Sequence, residues 1–229
     1  MKKALAALLA GGLVLGAVST AGAAKAKPKV VFTDAPGDAG SYNTGALPGA
    51  AEAGMDLVKA TIGKKGSALE FKVTHSAMPA FGAFPEGARF LWHFNVGSTE
   101  YRLMVKSANI GKPDAVSQTG TERVGQVDTE GHFRVEECSV DATLPVTLSI
   151  CEPIAYMKGG FDPASKSFSF LLPLKTLKLK AGSKILPGTG GASATNCQIC
   201  WVLEYAERSL TPHTVIDDTV MTTTYKVPR

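Results

Sequence analysis

Asp34 and Asp38 bracket the turn Ala35-Pro36-Gly37, and Asp56 opens the next stretch with strand character, so three carboxylates fall at the ends of two candidate strands. Ca2+ takes oxygen ligands of this kind, with loop carbonyls completing its shell. Asp34, Asp38 and Asp56 are therefore the candidate metal ligands, and Asp217 and Asp218, near a candidate closing strand, are further ones. The string DAPGD also suits an Asx-type turn, in which the aspartates merely cap the backbone.

The other residues with chemical potential point away from catalysis. Cys138, Cys151, Cys197 and Cys200 are even in number, which in an exported chain favours cystine over thiols. Cys197 and Cys200 form a C-x-x-C, but neither the βαβ setting of a redox motif nor four reduced zinc ligands accompany it. His75, His93, His132 and His213 are dispersed, with no H-E-x-x-H and no G-x-S-x-G, and are expected on exposed strand faces. Glu136 and Glu137 are adjacent on a strand and point to opposite faces, so they do not pair as acid and base. Leu186-Pro187-Gly188-Thr189-Gly190 spells the sortase motif, but no apolar span and basic tail follow it, and it reads as a loop. No catalytic residue is assigned.

These residues need strands to position them, and the clearest are in residues 88–106, ARFLWHFNVGSTEYRLMVK. With Gly97-Ser98 as a two-residue turn, Phe94 faces Tyr101, Trp92 faces Leu103 and Phe90 faces Val105. One side of this hairpin is wholly apolar and must be buried against a second sheet. The other, carrying His93, Asn95, Glu100 and Arg102, is expected to be wet near the turn.

A second hairpin follows from register: pairing Cys138 with Cys151 places Val135 opposite Ile154 and Ser139 opposite Ile150, and makes Cys138–Cys151 a disulfide worth about 3 kcal/mol in the chain-entropy model. Cys197 and Cys200 are then left for each other. Further strands are expected at 30–34, 56–62, 69–75, 157–161, 167–172, 199–206 and 220–227, with a turn at 63–66, one helical turn within 173–179 and loops at 107–131 and 181–196. The fold class is all-β: an antiparallel, jelly-roll-like β-sandwich of about ten strands with little helix.

Residues 1–23 read as a secretory signal peptide, with two lysines, an apolar run and the small-residue site Ala21-Gly22-Ala23. Residues 24–229 then form a single domain, secreted and without a membrane span. Loss of Lys2 and Lys3 lowers the formal charge from +4 to +2. The remaining lysines are scattered along the sequence, which argues against a nucleic-acid or membrane-surface footprint.

The order of features resembles a family: the turn DAPGD, the opening Asp56-Leu57, the aromatic hairpin, then GGFDPASKSFSFLLPLKTL and AGSKI look like bacterial secreted β-sandwich domains of the family-9 carbohydrate-binding-module and DOMON-like type. The resemblance spans most of residues 30–186. It implies a jelly-roll-like sandwich, bound calcium at Asp34, Asp38 and Asp56, and a sugar or haem ligand in some members. No exposed tryptophan pair stands ready to sandwich a sugar, because Trp92 sits on the apolar side of its strand. The function expected is an exported, non-catalytic binding or accessory domain, calcium-stabilised and with a glycan at its loops; the ligand-binding residues are unknown. A structural or cell-envelope protein-interaction domain is one alternative, and a hydrolase with an unrecognised loop site another.

Overall fold

The computed structural model describes residues 26–39, 54–77, 88–106, 133–141, 148–188, 198–203 and 215–229. Alternating apolar and polar residues build thirteen strands there. The first sheet contains β1 (Lys29–Thr33), β2 (Leu57–Lys65), β3 (Ala68–His75), β8 (Lys158–Asp162) and β9 (Ser167–Pro173), ordered β1-β2-β3-β9-β8. The second runs β12-β11-β4-β5-β6-β7, from β4 (Ala88–Val96), β5 (Thr99–Lys106), β6 (Arg134–Asp141), β7 (Leu148–Tyr156), β11 (Ile199–Leu203) and β12 (Val215–Thr219). Two short strands extend it, β10 (Lys184–Pro187) on the far end of β4 and β13 (Tyr225–Lys226) on β10. All pairings are antiparallel and no helix occurs among the described residues, so the architecture is the expected β-sandwich, with more strands than the ten expected.

The hairpin β4–β5 holds the expected register throughout, with Phe94 opposite Tyr101, Trp92 opposite Leu103 and Phe90 opposite Val105. Gly97 has φ +63°, which its turn requires and a side chain would resist. Trp92, Phe94 and Leu103 are fully buried. The two sheets meet through aromatic edges: Phe71 against Trp92 and Phe90 against Phe168, both T-shaped at 5.1 Å. Such pairs add roughly 0.5–1.5 kcal/mol beyond the area they bury. In β8–β9 a small residue faces a large one, Gly159 opposite Phe170, and Phe161 stands opposite Phe168.

Several expectations are corrected by irregularities that alternation does not reveal. A bulge between Leu57 and Lys59 turns Leu57, not Val58, into the core. The β2–β3 turn is Gly66-Ser67, so β2 continues through Gly63 to Lys65. Cys138 pairs with Cys151 in a disulfide and Ser139 faces Ile150, but a second bulge places Val135 opposite Ala155 and leaves Ile154 half exposed. Ile150 is exposed as well, since this end of the hairpin carries outward-facing residues. Residues 174–178 form successive turns in place of a helical turn. Residues 184–187, expected in a loop, are strand; of the closing strand expected at 220–227 only β13 is strand, and β12 precedes it.

On the outer face of this hairpin Asn95, Glu100 and Arg102, near the turn, are half-buried as expected of a wet end, whereas His93 is buried. Leu91, Met104, Cys200 and Val202 form a second buried cluster on the eight-stranded sheet. Beside it Glu136 is fully buried between two arginines, Arg102 at 2.5 Å and Arg134 at 2.6 Å. A buried carboxylate is tolerated only with such partners.

Candidate metal centre

The carboxylates converge where the first turn meets the start of β2 and the middle of β12. The chain leaves β1 with Asp34 N–H bonded to the Val58 carbonyl at 2.9 Å, turns through Gly37 at φ +93°, and brings Asp38 to Asp56 before the start of β2. Asp56 stands one residue before β2, fully buried, and its Oδ2 accepts the Gly37 N–H at 2.7 Å. Asp217 arrives from β12 in the other sheet and accepts the Leu57 N–H at 2.5 Å. Asp38, Asp56 and Asp217 each offer an oxygen within 4.8 Å of the others.

Of the three ligands expected, Asp38 and Asp56 are in this group and Asp34 is not. Asp34 turns its Oδ1 to the Ala35 N–H at 2.9 Å, which is the capping role the DAPGD turn allows. Asp217 takes the third place, and alternation along β12 leaves Asp218 exposed. Sequence spacing does not single out Asp217, because 160 residues separate it from Leu57. Inward parity on β12, opposite Trp201 of β11, is the signal that would have found it.

The electrostatics are those of crowded acids. Burial pushes the Asp217 carboxyl up to about 7 against the lowering effect of the Leu57 N–H, and the charges of Asp38, Asp56 and Asp34 add to the rise. Although Asp38 is an exposed residue, its carboxyl faces Asp56; desolvation there and then the Asp34 charge raise it above the ordinary carboxylate range. One atom is left over: Asp56 Oδ1 is buried with no hydrogen-bond partner. A buried acceptor without a donor costs about 1–3 kcal/mol, more when charged. An unpaired carboxylate oxygen beside two further carboxylates fits a hard divalent cation, which would neutralise the charge and supply the missing partner.

The histidines are elsewhere, and the two described ones are buried, not exposed. His75 accepts the Trp201 indole N–H at 3.1 Å and stacks on Phe168, and burial lowers it to about 3. His93 contacts Glu100 at 3.1 Å and is also lowered by burial. Trp201 is core. Cys200 is buried and disulfide-bonded, while Cys197, its expected partner, lies outside the described residues, as do His132, His213 and the 107–131 loop. Leu186 and Pro187 of the sortase-like string pair with β4. No helix among the described residues is long and apolar enough to cross a membrane. Comparison with protein-family models, curated proteins and solved structures finds no match for this chain.

Proposed function

We propose that the chain is an exported, non-catalytic binding domain with a glycan as its ligand class, whose two sheets are tied at one end by a calcium ion between Asp38, Asp56 and Asp217. The observation that carries the metal reading is the buried, unpartnered Asp56 Oδ1 aimed into a group of three carboxylates. Calcium suits the group better than magnesium because Asp38 follows an exposed turn and Asp56 precedes its strand, so two of the three oxygens can adjust to a loose shell. The described histidines support a non-catalytic reading, since they bond Trp201 and Glu100 and not a nucleophile.

Thermal melting with calcium and with chelator tests the metal. A ligand bound only by the folded state at 100 times its Kd contributes about 2.7 kcal/mol. For a chain of this size the midpoint should rise by roughly 5–10 °C. Asp56→Asn and Asp217→Asn should abolish the rise, and an equal midpoint with and without calcium in the unsubstituted chain removes the metal from the proposal.

A second reading has one observation in its favour. Asp217, with its carboxyl raised by burial, stands beside the second carboxylate Asp56, and a pair of carboxyl groups is what a hydrolase uses as acid and base. Both carboxylates are buried, which restricts substrate access. Glycosidase activity lost in Asp217→Asn, together with a melting point indifferent to calcium, would favour this reading over ours.

A further inference from the structure

The end of the sandwich opposite the carboxylates gathers the lysines that the sequence scatters. Segments 60–69, 174–188 and 221–229 together hold eight lysines and arginines and no aspartate or glutamate. Hydrogen bonds join them there: Leu174 N–H to Ser67 O at 2.9 Å, Gly182 N–H to Val227 O at 2.9 Å, and Val227 N–H to Ser183 O at 2.8 Å. Lys64 Nζ reaches the Pro228 carbonyl at 3.4 Å. We infer that this basic end is a binding surface for a carboxylate-bearing polysaccharide. The inference rests on the reading of the chain as a glycan-binding domain and names the class of glycan.

The string LKTLKLK explains how the charges are presented. Leu174, Leu177 and Leu179 pack on the core and hold the turns down, so Lys175, Lys178 and Lys180 stand exposed between them. Lys178 adopts φ +52°, a left-handed conformation that non-glycine residues seldom take. A few residues on, Lys184 and Lys226 lie directly opposite each other in the β10–β13 pair, both exposed. Like charges so placed are mutually destabilising. An anion lying across them removes that penalty. Between Ala181-Gly182 and residues 226–229 lies a groove of about 340 Å³, where the Lys226 stem passes 3.9 Å from the position a Gly182 Cβ would take. At the border Glu70 is already held by Lys65 at 2.9 Å.

The chemistry favours an acidic glycan over other polyanions. Lysine outnumbers arginine seven to one in these segments, so the surface offers mobile point charges and not the planar forks that read phosphate in fixed geometry. Their single aromatic residue, Tyr225, is buried, leaving no ring on which bases could stack. Among the described residues the exposed large apolar side chains are Ile150 and Ile154, both on β7, and the single valines Val30 and Val220 bordering these segments, which make no apolar face to enter a lipid interface.

Affinity electrophoresis of the mature chain through gels containing polygalacturonate, a neutral glucan, duplex DNA or no polymer, with flotation on anionic vesicles alongside, tests this. Retardation by polygalacturonate is expected, weakened roughly tenfold or more between about 50 and 200 mM salt as bound counterions compete. A K180S/K184S/K226S variant that melts like the unsubstituted chain should lose most of the retardation, and K175S/K178S is a second variant should the first fail to fold. Retardation unaffected in both variants, or tighter binding to DNA or vesicles, overturns the inference. Retardation by the neutral glucan alone overturns it while leaving the glycan-binding reading intact; no retardation by either polysaccharide counts against both.

Discussion

Asp217 and His75 give the folded state two opposite dependences on pH. Asp217 titrates near 7 when folded, above its ordinary 3.8. Between those values the folded chain keeps a proton that the unfolded chain has released, so without metal this group lowers stability as pH rises toward 7. His75 titrates near 3 when folded, below its ordinary 6.5. Between those values the unfolded chain takes up a proton that the folded one refuses, so this group lowers stability as pH falls below 6.5. The two slopes oppose each other where the windows overlap, and each variant should unmask the other. In chelator, melting points followed across pH should show Asp217→Asn losing stability on the acid side only. His75→Gln should lose it only as pH rises. A variant with the same pH profile as the unsubstituted chain would show that its group does not titrate as its surroundings dictate. Calcium should reverse the Asp217 slope, because a cation binds the deprotonated carboxylates.

The β4–β5 hairpin was legible because local rules agree there: a glycine-led turn fixes the register, and unbroken alternation fixes the faces. The disulfide was legible for the same reason. What alternation cannot show is where it skips, and the bulges at Leu57–Lys59 and Val135–Glu136 each shift one strand relative to its partner. Nor can it show that an outer face is buried, which is why His93 was expected to be exposed. Asp38 and Asp56 were legible as neighbours of a turn and a strand start, whereas Asp217 depends on how the sheets stack. The pairing of β8 with β9 depends on one such stacking contact. A Cβ on Gly159 would lie 2.5 Å from the Phe133 ring, which belongs to the other side of the core. Gly159→Ala should therefore destabilise by about 1–3 kcal/mol. Urea denaturation giving the same midpoint for both chains would mean that the ring moves aside freely.

Antiparallel strands carry the two ends of the sandwich apart, and along the five-stranded sheet charge separates with them. β2 starts beside Asp56 and finishes at Lys64 and Lys65, while β9 starts beside Asp162 and leads into the lysines after Pro173. A formal charge of only +4 over the whole sequence therefore conceals a gathering of lysines at one end of that sheet. Retention on a cation exchanger is expected to follow that end and not the net charge. K175S/K178S/K180S should elute at clearly lower salt, whereas K59S/K72S/K158S, which changes net charge equally, should move much less. Equal shifts would mean that the matrix reads total charge alone.

The strand that closes the five-stranded sheet, β8, has a bearing on how the protein behaves when concentrated. Its five residues, KGGFD, set a lysine at one end and an aspartate at the other, around two glycines of low strand propensity. Short, charged borders of this kind make poor templates for a neighbouring molecule's backbone. Along this border the folded chain has little tendency to stack into fibrils, even at high density.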